Sequence, residues 1–161
     1  MKIEKATTKD IDEIIKLYAD RSEWLKLNNI KQWSKYLINH PKEQFIKVIE
    51  NGNYYILKEN DEIIAGCEIS EDSRIWDDDI SNSNYLYKVV TKVGHRNIGK
   101  YLFKYAKEKT IKDGKKSLRL DCLATNKKLN EIYENNGFKF VKEGYDYYHY
   151  TLREWESWKI K

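Results

Sequence analysis

The 161-residue sequence has only two cysteines and three histidines, and no apolar run approaches the roughly 20 residues of a transmembrane helix. Cys67 and Cys122 stand alone in apolar, strand-like segments without C-x-x-C spacing, so we expect buried, reduced thiols rather than disulfides. His40, His95 and His149 are scattered along the chain, which argues against a metal centre. These absences predict a protein without disulfides, a resident metal or a membrane span.

The sequence also lacks repeats, Pro/Gly/Ser-rich linkers and low-complexity segments. With this length we expect one domain over residues 1–161. The 40% hydrophobic and 35% charged residues are typical of a folded chain rather than a disordered one, and a net charge of +4 is too small to indicate nucleic acid. The first residues carry no apolar signal-peptide core, so we expect a cytoplasmic location.

Hydrophobic periodicity and turn residues predict an α/β layout. The predicted strands are Lys2–Ala6, Tyr54–Lys58, Glu62–Ser70, Tyr85–Val90, Ser117–Cys122, Phe138–Glu143 and Tyr147–Leu152. Five helices are predicted. The first starts at Thr7 or Thr8, the second runs from about Ile30 to Ile38, and the third runs from about Lys42 to Glu50. The fourth ends near Gly114, and the fifth is capped by Asn126 and runs to about Asn136. Because a helix joins the strands that end at Val90 and Cys122, those two strands should be parallel.

The most informative segment runs from Val89 to Tyr105, where β-branched strand residues give way to a polar loop and then a helix. The N-terminus of a helix attracts anions, because its first N–H groups have no partner within the helix and its dipole is positive there. Gly94 and Gly99 allow close backbone approach. Cationic or hydrogen-bonding side chains accompany them at Lys92, His95, Arg96 and Lys100. The pattern predicts a phosphate or pyrophosphate site, although Gly99 could equally serve helix–sheet packing.

A second block follows the next predicted strand and consists of Asn126, Tyr133 and Gly137-Phe138. Together the two blocks resemble the signature of the GNAT superfamily of acetyl-CoA-dependent N-acetyltransferases, a Q/R-x-x-G-x-G/A loop followed by an N…Y…GF segment. Here the loop reads Gly94-His95-Arg96-Asn97-Ile98-Gly99. Glycine replaces the leading Gln or Arg, and Asn97 replaces the middle glycine. Asparagine tolerates a positive φ angle better than most non-glycine residues, and the arginine of the loop supplies a cation.

The resemblance implies an α/β, single-domain GNAT-like fold. This fold has a mixed, mostly antiparallel sheet of about six or seven strands, a splayed central parallel pair and flanking helices. It also implies an N-acetyltransferase that moves acetyl from acetyl-CoA, a co-substrate used without a metal, to a primary amine by direct attack. The cofactor-binding residues implied are Val89, Thr91, Gly94, His95, Arg96, Asn97, Ile98, Gly99, Lys100, Asn126 and Tyr133.

Each implied residue has its own expected role. Loop amides bind the pyrophosphate of CoA, the main chain of Val89 and Thr91 pairs with pantetheine, and the Val89 N–H donates to the thioester carbonyl. Asn126 holds the arm from the other side. Tyr133 hydrogen-bonds the departing thiolate, since a phenol is a weaker acid than a thiol. Taken singly, Asn126 is equally an N-cap and Tyr133 a core residue, and only their combined spacing favours function.

The acceptor side carries weaker signals. A base must remove a proton from the ammonium form of the amine. Glu68 in an apolar strand is the predicted catalytic base; Asp121, His149 and a water relay are alternatives, and a structural carboxylate paired with Lys or Arg is the competing interpretation. The predicted substrate-binding residues are Trp24, Trp33 and Tyr85, in regions where the family has its acceptor pocket. The acidic run Asp77–Asp79 could attract a polyamine or form a solvated turn.

Other functions stay open at this stage. A non-catalytic CoA or acyl-CoA sensor fits the altered loop, and a nucleic-acid-associated protein has only mild basicity in its favour. We expect no nucleic-acid or membrane partner, a small-molecule or peptide amine as substrate, and a possible homodimer through the aromatic segment Tyr145–Trp158.

Overall fold

The computed structural model describes residues 1–30 and 41–157. The strands are β1 (Lys2–Lys5), β2 (Tyr54–Glu59), β3 (Glu62–Ser70), β4 (Ser83–Thr91), β5 (Ser117–Leu123), β6 (Lys139–Tyr145) and β7 (His149–Glu156). The helices are α1 (Ile11–Leu27), α2 (Lys42–Glu50), α3 (Gly99–Lys112) and α4 (Lys127–Asn135). None of these helices has the length and apolar character needed to cross a lipid bilayer.

The strands form one mixed sheet in the order β1-β2-β3-β4-β5-β7-β6. The pairs β1–β2, β2–β3, β5–β7 and β6–β7 are antiparallel, whereas β4 and β5 are parallel, as expected for strands joined by a helix. The parallel register begins with Ser83 opposite Ser117 and ends with Tyr85 opposite Arg119. Because β4 continues to Thr91 and β5 to Leu123, most of their length lies beyond this pairing. The predicted sheet class, with its central parallel pair, is confirmed.

Local sequence signals explain several element ends. Before α1, the backbone N–H of Thr7 donates to Asp10 Oδ2 at 2.8 Å, which is one half of a capping box. The loop between β2 and β3 contains Asn60 and Asp61 with φ angles of +51° and +64°. Two consecutive positive φ angles are typical of a type I′ turn, whose twist matches a β-hairpin. The predicted hairpin is therefore confirmed together with its turn residues.

Two compact units emerge among the described residues. One is drawn from Met1–Glu68 and Lys88–Leu102, the other from Ile69–Tyr87 and Phe103–Lys161. In the first, α1, α2 and β2 bury a core that includes Ile14, Tyr18, Phe45 and Tyr54. In the second, the aromatic cluster Phe103, Tyr133 and Phe138 and the group around Trp76, Tyr85 and Leu152 are buried. Cys67 lies in the first unit and Cys122 in the second, both as buried free thiols.

Several strand ends differ from the prediction by one or more residues, among them those of β4 and β7. β4 begins at Ser83, two residues early, because the hydroxyls of Ser83 and Ser117 lie 2.7 Å apart and satisfy each other inside the sheet. The last strand covers His149–Glu156 instead of Tyr147–Leu152. It extends to Glu156 because its backbone pairs antiparallel with β5, where Ser117 lies opposite Glu156. The helix predicted near Ile30–Ile38 lies outside the described residues.

Candidate active site

The loop between β4 and α3 has the backbone of an anion site. Gly94 has a φ angle of +91°, and Asn97 occupies the left-handed region at +60°. A Cβ atom on Gly94 would meet no heavy atom within 4 Å, so φ rather than crowding selects glycine here. Asparagine replaces the middle glycine of the signature because it tolerates this conformation.

The amides of this loop are available to a ligand. The N–H of His95 donates to the C=O of Lys92 at 3.1 Å, which closes a turn at the start of the loop. The five following N–H groups, from Arg96 to Lys100, make no hydrogen bond to another residue that the structure describes. They stand at the N-terminus of α3, where the helix dipole favours negative charge. Their arrangement can bind a phosphate or pyrophosphate.

The loop side chains differ in the charge and hydrogen-bonding capacity that they can offer an anion. Lys92 forms an ion pair with Glu62, so its charge is already compensated, whereas Arg96 is exposed. The Nδ1 atom of His95 is buried and has no hydrogen-bond partner among the described residues. A buried polar atom of this kind normally bonds protein, water or ligand. His95 therefore has hydrogen-bonding capacity left at the loop.

The end of β4 is held by side chains from α1 and β3. Arg21 donates to the backbone C=O of Thr91 from Nη2 at 2.9 Å and from Nε at 3.2 Å, and to Thr91 Oγ1 at 2.9 Å. Burial lowers the pKa of Arg21. Lys88, with a φ angle of +56°, donates from Nζ to Glu68 Oε1 at 2.8 Å. Glu68, the predicted base, is therefore ion-paired with Lys88, and its side chain is only 12% exposed.

The second block folds into a defined helix end in the other unit. The Asn126 Oδ1 atom accepts the N–H of Leu129 at 3.1 Å and caps α4. At the far end, Gly137 has a φ angle of +89°, its N–H donates to the Glu134 C=O, and the N–H of Phe138 donates to the Tyr133 C=O. These two bonds form a Schellman motif.

The Schellman motif determines how Tyr133 and Phe138 lie relative to each other. It brings the Phe138 ring onto Tyr133, with ring centroids 5.8 Å apart, and Phe103 completes the cluster at 5.5 Å from Tyr133. Lys107 donates from Nζ to the C=O of Asn136 and lies over the Phe138 ring. Tyr133 is 6% exposed, and packing against Phe103 and Phe138 sets the orientation of its ring. The phenol of Tyr133 is therefore held in a fixed orientation.

Comparison with known proteins identifies the family. The family model described as Acetyltransferase (GNAT) family matches residues 13–138. The chain belongs to the GNAT acetyltransferase family. The uncharacterized N-acetyltransferase YesJ of Bacillus subtilis (strain 168) is 26% identical over 157 residues, which are 92% of this chain and 87% of that protein. The chain is thus an enzyme of the GNAT type, as the sequence resemblance implied.

Solved structures agree with the fold. A GNAT acetyltransferase from Listeria monocytogenes 4b F2365 has a TM-score of 0.79 at 23% identity, covering 96% of this chain and 94% of its own. The PaiA N-acetyltransferase from Thermoplasma acidophilum, in complex with coenzyme A, has a TM-score of 0.73 at 21% identity, covering 96% and 98%. The GNAT fold is therefore shared over nearly the whole chain.

The predicted acceptor residues of this GNAT enzyme have different environments. Trp24 is 38% exposed and stacks on Arg21, whose guanidinium carbon lies 5.0 Å from the ring centroid. Tyr85 is fully buried, and its hydroxyl accepts a hydrogen bond from Arg119 at 3.1 Å. Burial raises the pKa of Tyr85. Trp33 lies outside the described residues.

Arg119 also organises the acidic run. It donates from Nη1 and Nη2 to the two carboxylate oxygens of Asp78 at 2.8 and 2.9 Å, and from Nε to Glu154 at 2.6 Å. Burial alone would lower the pKa of Arg119, but these hydrogen bonds outweigh it and raise the pKa. Asp79 Oδ1 accepts from the N–H of Ser81 at 2.9 Å. These contacts favour a structural turn over a polyamine subsite, and sequence reasoning missed Arg119 because its partners are distant in the chain.

The alternative bases are also engaged. The Tyr148 hydroxyl donates a hydrogen bond to the Asp121 carboxylate. Burial together with that carboxylate raises the pKa of Tyr148. His149 Nε2 lies 2.9 Å from Glu143 Oε2. Within residues 1–30 and 41–157, no group of three or more His, Cys, Asp or Glu side chains is placed to hold a metal ion.

Proposed function

We propose that this GNAT enzyme transfers an acetyl group from acetyl-CoA to a primary amine of a small molecule or peptide. The observation that carries the proposal is the row of five N–H groups, Arg96 to Lys100, without a partner among the described residues at the N-terminus of α3. A pyrophosphate needs such donors together with an open approach. Gly94, with no atom within 4 Å of a Cβ position, provides the approach.

The CoA side of the proposal extends along β4. The main chain of Val89 and Thr91 is proposed to pair with the pantetheine arm as an added strand would. Arg21 already occupies the C=O of Thr91, so Thr91 contributes mainly its N–H group. The loop residues His95, Asn97 and Ile98 hold the phosphate end, and Asn126 is proposed to contact the arm from α4. CoA bound to the PaiA relative supports the same ligand here.

In the chemical step acetyl-CoA supplies a thioester whose carbonyl carbon the amine attacks. The N–H of Val89 is proposed to donate to the carbonyl oxygen as negative charge develops there. Removing one such donor in other enzymes costs about 2.7–4 kcal/mol of transition-state stabilisation. Tyr133 is proposed to hydrogen-bond the sulfur as the C–S bond breaks. Because the Tyr133 ring already packs between Phe103 and Phe138, little conformational entropy is lost when its hydroxyl is positioned at the sulfur.

The amine must lose a proton when it attacks. Glu68 is proposed as the base, and its ion pair with Lys88 must then open or pass the proton through water. Trp24, which is 38% exposed, is proposed to line the acceptor site, and Trp33, outside the described residues, is proposed with it from the sequence alone. Tyr85 is fully buried against Arg119, so we propose no direct substrate contact for its side chain. A cytoplasmic location and a homodimer complete the proposal, to be checked by fractionation and analytical ultracentrifugation.

The decisive experiment measures thiol release from acetyl-CoA with a panel of primary amines. The panel includes a polyamine, an aromatic amine, a lysine-containing peptide and a peptide with a free N-terminus. Mass spectrometry of each acceptor must show one added acetyl group. Release without an acetylated amine would indicate thioester hydrolysis and contradict the proposal.

A second function, an acyl-CoA sensor without turnover, is favoured by one observation. The predicted base Glu68 is engaged by Lys88 rather than open. Calorimetry separates the two functions: tight CoA binding with no acetylation of any amine in the panel supports the sensor.

A further inference from the structure

Two buried tyrosines in the first unit form a directed chain of hydrogen bonds. Tyr18 on α1 and Tyr54 on β2 are both fully buried, and their hydroxyl oxygens lie 2.7 Å apart. The Tyr18 hydroxyl also donates to the backbone C=O of Lys88 in β4. Because a carbonyl can only accept and Tyr18 has a single hydroxyl proton, Tyr54 must be the donor in the bond between the two tyrosines. The chain therefore runs from Tyr54 through Tyr18 to Lys88.

The residue at the end of this chain has an unusual backbone. Lys88 has a φ angle of +56° inside a strand, which is uncommon for a residue with a Cβ atom. Such a conformation persists only where the surroundings hold it. Tyr18 holds the carbonyl of Lys88, and Glu68 holds its side chain through the 2.8 Å ion pair. Two independent contacts thus fix one strained residue.

The held carbonyl belongs to the same peptide unit as the N–H of Val89. A peptide unit is planar, and no described peptide bond is cis, so the C=O of Lys88 and the N–H of Val89 point in opposite directions. Fixing the carbonyl therefore fixes the direction of the N–H. A hydrogen bond to the carbonyl also polarises the peptide and makes its N–H a stronger donor.

We infer that Tyr18 is a positioning residue of this enzyme: through the Lys88 carbonyl it aims and polarises the Val89 N–H toward the acyl carbonyl oxygen. The inference rests on the proposed function, which gives the Val89 N–H its role. Tyr18 acts through the peptide unit and does not itself touch the reacting atoms. Sequence reasoning missed it because a tyrosine on the apolar face of α1 looks like an ordinary core residue.

The test compares two matched variants, Tyr18→Phe and Tyr54→Phe. Each removes one hydroxyl and keeps its ring against Phe45, and each breaks the same 2.7 Å hydrogen bond. Only Tyr18→Phe also removes the donor to Lys88. We expect Tyr18→Phe to lower kcat roughly 10- to 100-fold with little change in the KM for acetyl-CoA. Tyr54→Phe should keep kcat much closer to that of the wild type.

A second measurement does not depend on turnover. The nitrogen shift of a backbone amide responds to hydrogen bonding at the preceding carbonyl, so the Val89 signal in a ¹H–¹⁵N spectrum reports on the Lys88 C=O. It should move in Tyr18→Phe and much less in Tyr54→Phe. An unmoved Val89 signal in Tyr18→Phe, or an equal loss of kcat in both variants, would overturn the inference. A wild type that acetylates no amine counts against the proposed function alone, and the Val89 signal then decides the positioning.

Discussion

Lys88 Nζ lies 2.8 Å from Glu68 Oε1, and the two side chains are only 6% and 12% exposed. Breaking a buried ion pair by removing one partner typically costs about 3–5 kcal/mol, because the other charge is left uncompensated. We therefore expect Lys88→Met to lower the free energy of unfolding by about that amount, measured by urea denaturation. Adding Glu68→Gln to Lys88→Met should restore part of the loss, since no unpaired charge remains. If the double variant is as unstable as Lys88→Met, the loss of stability does not come from an unpaired Glu68 charge, and the prediction is wrong.

The positive φ angle at Asn97 predicts opposite effects of two substitutions. Asn97→Gly should keep or raise CoA affinity, because glycine adopts this backbone without strain. Asn97→Ala should weaken CoA binding and lower the free energy of unfolding by about 1 kcal/mol. Calorimetric titration with CoA and urea denaturation measure both quantities. Gly94→Ala is the matched control: its cost must be conformational, because the added Cβ meets no atom within 4 Å.

Tyr133→Phe should separate chemistry from binding. The ring contacts with Phe103 and Phe138 survive the substitution, so the fold and CoA affinity should change little. Loss of the hydroxyl should lower kcat roughly 100-fold, as removal of a hydrogen-bond donor to developing negative charge does in other enzymes. Tyr105→Phe, on α3, provides the comparison with a tyrosine that has no proposed role. Unchanged turnover in Tyr133→Phe would remove its proposed function.

Cys122 predicts how stability depends on pH. Burial raises the pKa of its thiol from 9.0 to about 12. The thiol therefore stays protonated in the folded chain while it ionises near pH 9 in the unfolded chain. Its contribution to the free energy of unfolding is complete below that pH and is lost as pH rises toward 12. Urea denaturation at several pH values above 9 should show a shallower decline for Cys122→Ala than for the wild type, and equal slopes would contradict the assignment.

Regular segments were predictable where periodicity and turn chemistry agree. The hairpin at Asn60-Asp61, helix α2 at Lys42–Glu50 and the Gly137 helix end were all read from residue order alone. The start of β4 was not, because Ser83 looks like a loop residue until its hydroxyl meets Ser117 from another strand. Polar residues that satisfy each other across a sheet carry no local signal.

The candidate site likewise combines local features, which the sequence predicts, with contacts between residues that are distant in the chain. The anion loop and the Tyr133 block are local, since glycine, asparagine and a helix start act over a few residues. The side chains that hold β4 in place come from elsewhere: Arg21 reaches Thr91, and Tyr18 reaches Lys88, each across 70 positions. No spacing rule connects residues so far apart.

The sequence by itself determined the family, the parallel strand pair and the segment from Val89 to Tyr105 with its anion-binding loop, because backbone conformation at glycine and asparagine is a local property. Only the tertiary structure decided that Glu68 is paired with Lys88, that the Asp78 carboxylate is held by Arg119, and that the loop amides lack partners among the described residues. Those outcomes depend on distances between charges and donors, and such distances exist only after distant segments have packed.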